Sequence, residues 1–151
     1  MSAFDVNTTI LLNTQFTDAN DTVVTPIDEG EYTAVIEKTD LKSGEKNGKT
    51  WLSLEVVWSI DDEGQRAKTG RDKLTCRQNV FLDLTDHGTM DMGKGKNVGL
   101  GRLREAVGQN QKGKPWSFGM LAGQVATVLI SQRVADDGQI FNDIRKVAPL
   151  K

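Results

Sequence analysis

Few side chains in this sequence are of types that do covalent or metal chemistry. The densest group is DLTDHGTMD, where Asp83, Asp86, Asp91 and the single histidine, His87, fall within nine residues. Carboxylates and an imidazole can ligate a metal, but only where the fold makes them converge and neighbours hold them in place. A glycine-containing loop is predicted here, and it offers no such support, so no metal site is expected. Cys76, the single cysteine, falls on the apolar face of a predicted strand and reads as a small, inert hydrophobe. GKGKNVGLG (Gly93–Gly101) has glycines and lysines of the kind that cradle phosphates. It departs from the Walker spacing and from G-x-G-x-x-G, because position 98 is Val, and no strand directly precedes it. No catalytic residue and no cofactor is expected, and the chain reads as a non-enzyme.

What the sequence does offer is stacking and charge. NGKTWLSLEVVW (Asn47–Trp58) holds two of the three tryptophans, Trp51 and Trp58. Successive strand side chains point to opposite faces, so these two lie on opposite sides. Leu52, Leu54, Val56, Trp58 and Ile60 form one wholly apolar face, which must be the core. Trp51, Ser53, Glu55, Val57 and Ser59 form the mixed face. The next strand repeats the pattern. Leu74, Cys76, Val80, Leu82 and Leu84 are core-facing, with Gln78 the one misfit, while Lys73, Thr75, Arg77, Asn79, Phe81 and Asp83 face the other way. If the two strands pair, Trp51 and Phe81 project from the same side among cations. Such a face suits single-stranded nucleic acid, whose bases stack on aromatic rings while Lys and Arg follow the phosphates. The plainer alternative is a second small core under a loop or the N-terminal segment. Trp116 and Lys114, in the basic loop QKGKPW, add a third stacking candidate, although packing on the helix would equally suit Trp116. Phe141 and Arg145 share one face of the last strand, with Ile140 and Ile144 on the other, so parity leaves that strand open. The candidate nucleic-acid-binding residues are Trp51, Phe81, Arg77, Lys73, Lys49, Lys46, Arg71, Trp116, Lys114 and Arg145.

These residues need a sheet to present them. Strands are predicted at Glu31–Lys38, Trp51–Ile60, Leu74–Leu84, Gln124–Val134 and Gln139–Val147. A Gly/Lys turn region covers Thr39–Lys49, a charged loop Asp61–Asp72, and a loop Thr85–Asn97. Apolar Val98, Leu100, Leu103 and Val107 predict a short amphipathic helix over Val98–Val107, ended by Gly108. Three strands, a helix and two strands is the order of the OB-fold. The expected fold class is thus mostly β, a five-stranded OB-fold barrel with a short helix between strands 3 and 4. Residues 1–28 are expected to be an acidic segment, an arm or an edge strand at Ile10–Leu12, and residues 29–151 the binding domain.

At 151 residues one domain can bury roughly 70% of its unfolded surface without disulfides. A lone cysteine fits a reducing cytoplasm. No apolar run approaches a membrane span and no basic-then-apolar leader is present, so no membrane partner is expected. Charge is uneven. Met1–Glu31 has six acidic residues and no Lys or Arg, whereas the remainder has 19 basic and 15 acidic residues. The cations cluster at Arg66, Lys68, Arg71, Lys73 and Arg77, at Lys42, Lys46 and Lys49, and at Lys94, Lys96, Arg102 and Arg104. Each cluster alone reads as a solvated loop. Brought together by the fold, they would make a surface for a polyanion.

GEYTAVIEKTDLKSGEKNGKTWLSLEVVW (Gly30–Trp58), GRLREAVG (Gly101–Gly108) and FNDIRKVAPL (Phe141–Leu150) together resemble bacteriophage single-stranded DNA-binding proteins, small OB-fold proteins. The resemblance spans about residues 30–150 in order. It implies coating of single-stranded DNA in phage replication or recombination. It leaves open a homo-oligomer and contacts to replication or recombination proteins. Many single-stranded DNA-binding proteins end in an acidic tail, whereas this chain ends KVAPLK and is acidic at its other end. Two other readings compete. A phage protein-interaction module, an inhibitor or adaptor of a host enzyme, would use the same aromatics as a hot spot. An oligosaccharide-binding barrel would have no use for the cations.

Overall fold

The computed structural model describes residues 5–151. Five strands, β1 (Gly30–Lys46), β2 (Lys49–Ile60), β3 (Leu74–Leu82), β4 (Val125–Val134) and β5 (Ile140–Ala148), form one antiparallel sheet in the order β3-β2-β1-β4-β5. Among the described residues no ladder joins β3 to β5, so the sheet is not closed, whereas the sequence predicts a five-stranded OB-fold barrel. The two edges nevertheless approach each other, and α3 (Val98–Ala106) contacts both. Leu100, Leu103 and Ala106 of that helix are buried with Trp58, Leu54, Val56, Ile36, Val128 and Ile130 in a single core.

Strand β1 runs eight residues past its predicted end. Thr39–Lys46 has no apolar alternation to mark it, yet it pairs with β2 all the way to Lys46–Lys49. Cross-strand pairing, not local preference, makes it a strand. The Asn47-Gly48 turn has positive φ at both residues, 53° and 75°, the geometry that matches hairpin twist. A bulge between Ile36 and Lys38 shifts the β1–β2 register. Beyond it β1 no longer pairs with β4, so the outer half of the β1–β2 hairpin extends past the β4–β5 half of the sheet.

Two further elements depart from expectation, and a third lies where none was predicted. Within the predicted charged loop lies α2 (Glu63–Thr69), with Asp62 accepting from Gln65 N–H at its start and Gly70 in the left-handed conformation at its end. A 3₁₀ turn occupies Phe118–Met120. Ile10–Leu12 forms neither an edge strand nor a packed cluster. It lies in α1 (Thr8–Asn13), a helix with no buried residue. The body also takes in residues before position 29. Ile27 is 1% exposed, and its N–H donates to Asn142 Oδ1 at 2.8 Å. Asp28 pairs with Lys68 and exchanges hydrogen bonds with Gln65.

Candidate nucleic-acid interface

The parity of β2 places its tryptophans as the alternation predicts. Trp58 is fully buried and Trp51 is 39% exposed on the opposite face. Register then determines the neighbours. Ser53 pairs with Phe81, Glu55 with Asn79 and Val57 with Arg77. On the other side Gly44 pairs with Trp51, Lys42 with Ser53 and Lys46 with Lys49. Three strands thus bring Trp51, Phe81, Arg77, Lys46 and Lys49 onto one face.

Trp51 and Phe81 meet edge to face, with ring centroids 6.5 Å apart and planes at 70°. Phe81 is 72% exposed, a large apolar area left in water. The Trp51 indole lies directly over Gly44. A Cβ on that glycine would stand 2.7 Å from ring atom Cζ2 and 2.9 Å from Nε1. Glycine inside a strand gives up packing and favourable backbone entropy, and here its missing side chain lets the ring lie against the backbone. A groove of about 580 Å³ runs beside the two rings, bounded by Lys42, Lys46, Lys49, Glu55 and Asn79. Ser53 forms part of its floor. This serine is 5% exposed, and its Oγ has no hydrogen-bond partner among the described residues.

The face is not uniformly positive. Lys42 Nζ donates to Glu55 Oε2 at 2.9 Å, and Arg77 approaches the same oxygen at 4.0 Å. The Lys42 hydrogen bond, with Lys42, Arg77 and Lys38 charges around it, holds the Glu55 carboxyl below the usual carboxylate range despite partial desolvation. Lys73 pairs with Glu37. Lys46, Lys49 and, nearer the bulge, Lys38 have no ion-pair partner among the described residues, so two of the face's free cations sit at the hairpin tip.

Other candidates lie elsewhere. Arg71 donates to the Thr25 carbonyl at 2.9 Å and pins the N-terminal segment to the body. Trp116 packs against the core, donates Nε1–H to Gln109 Oε1 at 2.8 Å, and carries the Arg104 guanidinium 4.4 Å above its ring. Phe118 meets it edge-on at 5.2 Å. Trp116 and Lys114 border a different groove from that of Trp51 and Phe81. Arg145 lines a third, with Arg102 and Glu105 of α3. In the Asp83–Asp91 loop the carboxylates stitch backbone. Asp83 accepts from Asn97 N–H at 2.8 Å and Asp91 from Gly93 N–H at 2.9 Å.

Sequence parity put Ser53 and Glu55 on the Trp51 face without assigning them to the site, and it missed Gly44 and Lys42 of β1. The isolated glycine in GEKNGKTW was the available signal, since strand glycines mark close approaches. Lys42 needed the register. No family model matches this chain, and no curated protein matches its sequence.

Proposed function

We propose that this chain is a non-catalytic single-stranded DNA-binding protein with little sequence preference, built as an open variant of the OB arrangement. The observation that carries the reading is the solvent-facing Trp51–Phe81 pair, seated over Gly44 and flanked by the unpaired cations Lys46 and Lys49. Every base has a π-face, so such a platform accepts any sequence. Strands 2 and 3 are also where OB-folds commonly bind oligonucleotides. The resemblance to bacteriophage single-stranded DNA-binding proteins supplies the setting, coating of strands during phage replication or recombination.

A fluorescence titration with oligo-dT tests this. The wild-type emission should be quenched, and Trp51→Ala should remove most of that quench while leaving Trp58 and Trp116 emission. Repeated at several salt concentrations, log affinity should fall with log salt by roughly 0.7 per phosphate neutralised. The absence of quenching, or a salt-independent affinity, would overturn the reading. Either result would favour an adaptor that uses the same rings against a protein. Glu55 is the observation on that side, because it occupies two of the face's cations.

A further inference from the structure

We propose that the N-terminal arm of one copy of this chain docks into the groove beside Trp116 of a second copy, giving a head-to-tail association. The arm has what an unoccupied ligand would have. Ile10, Leu11, Leu12 and Phe16 are each more than 60% exposed, Leu12 reaching 83%. Helix α1 is only six residues long and buries nothing. Helices this short are marginal in water unless a packed face supports them. Its ends are nonetheless capped. Asn7 Oδ1 accepts from Ile10 N–H at 3.1 Å, and Thr14 Oγ1 donates to the Ile10 carbonyl at 2.8 Å. A capped turn that buries none of its apolar side chains among the described residues fits a segment stabilised by a surface elsewhere.

The groove complements it. About 830 Å³ in volume, it is lined by Met90, Met92, Trp116 and Phe118 and edged by Lys112 and Lys114. Methionines and aromatics accept varied aliphatic side chains, because the thioether chain adapts to irregular shapes. The charges match as well. The arm carries Asp5, Asp18 and Asp21 with no Lys or Arg among residues 1–37, while the groove presents two lysines and the Arg104 guanidinium over Trp116. Unlike charge at the rim orients the approach and adds to its rate.

Placement favours a second copy. The arm is anchored where Arg71 holds the Thr25 carbonyl, just before β3 begins at Leu74. The groove lies beyond the other end of that strand, where Leu84 pairs with Met90. Donor and acceptor surfaces at opposite ends of one strand make a heterologous contact, which stays open unless its rotation closes a ring. Copies would then add one after another.

The test is sedimentation velocity of the full chain, without nucleic acid, over a concentration series at low salt. The mass should rise past the dimer with concentration. Leu12→Asp with Phe16→Asp should hold the protein at the monomer mass with an unchanged melting temperature, since neither residue is buried. Lys112→Glu with Lys114→Glu should weaken association at least about 10-fold, and adding Asp18→Lys and Asp21→Lys should restore it. A wild-type mass that stays monomeric, as docking within one chain would give, overturns the proposal. So does one that stops at the dimer, or association that survives Leu12→Asp/Phe16→Asp. Nucleic acid is absent from the measurement, so this result and the oligo-dT result fail separately.

Discussion

Trp58 donates its indole N–H to Gln78 Oε1 at 2.9 Å, diagonally across β2 and β3. The single polar residue on the otherwise apolar face of β3 is there because the largest core side chain carries a donor. A buried N–H without an acceptor costs about 1–3 kcal/mol, so the pair lets a tryptophan occupy the core.

Gln78→Leu should therefore destabilise the fold by about 1–3 kcal/mol, although it makes the strand more apolar. Trp58→Phe removes the donor and strands the Gln78 carbonyl, and should cost a similar amount plus the lost ring volume. The double variant should recover part of the loss, because both polar partners are then gone. Chemical denaturation of the four proteins reads the coupling directly. Strictly additive effects would mean that the hydrogen bond contributes nothing.

How much of this was legible depended on whether the information was local. The period-2 alternation of β2 and β3 separates Trp58 from Trp51 without any knowledge of pairing, because parity is a property of one strand. Thr39–Lys46 could not be read as strand from its own residues, since TDLKSGEK lacks an apolar face and becomes extended only by pairing with β2. Helix α2 buries nothing and so leaves no hydrophobic period, although Asp62 and Gly70 were its start and stop signals. The aromatic and basic members of the site were legible. Its electrostatics were not, because Glu55 meets Lys42 across a β1–β2 register shifted by the bulge between Ile36 and Lys38, and Arg77 across the β2–β3 ladder. Nor was the attachment of Ile27, whose partner Asn142 is 115 residues away.

Trp51→Ala and Phe81→Ala should each cost about 1–3 kcal/mol of oligo-dT affinity with little change in melting temperature, since both rings face solvent. Gly44→Ala is the sharper variant. Its new Cβ would collide with the indole, forcing the ring off its seat, while the backbone itself tolerates alanine. Affinity should fall towards that of Trp51→Ala with the fold intact. Unchanged affinity in Gly44→Ala would mean that the ring's position over the hairpin does not matter to binding.

Glu55→Gln removes the charge that holds Lys42 and Arg77. Those cations become free for phosphates, so affinity at low salt should rise and the salt dependence should steepen, by roughly 0.7 in log–log slope for each phosphate gained. Acid reproduces this only at low pH. The Glu55 carboxyl is held below the ordinary range, so whatever stability its pairing contributes is present above that range and is lost as pH falls through its lowered value. Isothermal titration of wild type and variant with oligo-dT across salt checks it. Weaker binding by Glu55→Gln would show that the carboxylate positions Lys42 rather than competing for it.

Burial, with the nearby Asp143 charge adding to it, pushes the Cys76 thiol up from near 9 to about 11. The fold prefers the neutral thiol, so its contribution to stability is complete below the unfolded value and is lost as pH rises towards 11. Wild type should therefore lose stability between pH 9 and 11 faster than Cys76→Ala does, since the alanine variant has no thiol to ionise. At pH 8 Cys76 should react with a disulfide reagent only as fast as the protein opens. Rapid labelling of the native protein would place the thiol at the surface.

Truncation separates the arm from the fold. Deleting residues 1–22 removes α1, Asp5, Asp18 and Asp21, but keeps Thr25 for Arg71 and Ile27 for the core. The melting temperature should be unchanged. Oligo-dT binding should tighten, most at low salt, where the lost carboxylates would have repelled phosphate over a longer Debye length. Deleting residues 1–28 should behave differently. It takes away a buried isoleucine, a loss comparable with the 2–5 kcal/mol of a large core truncation. It also leaves Asn142, Gln65, Lys68 and Arg71 without their partners. That protein should melt far lower or fail to fold. Equal stability of the two truncations would mean that residues 23–28 lie on the body without supporting it.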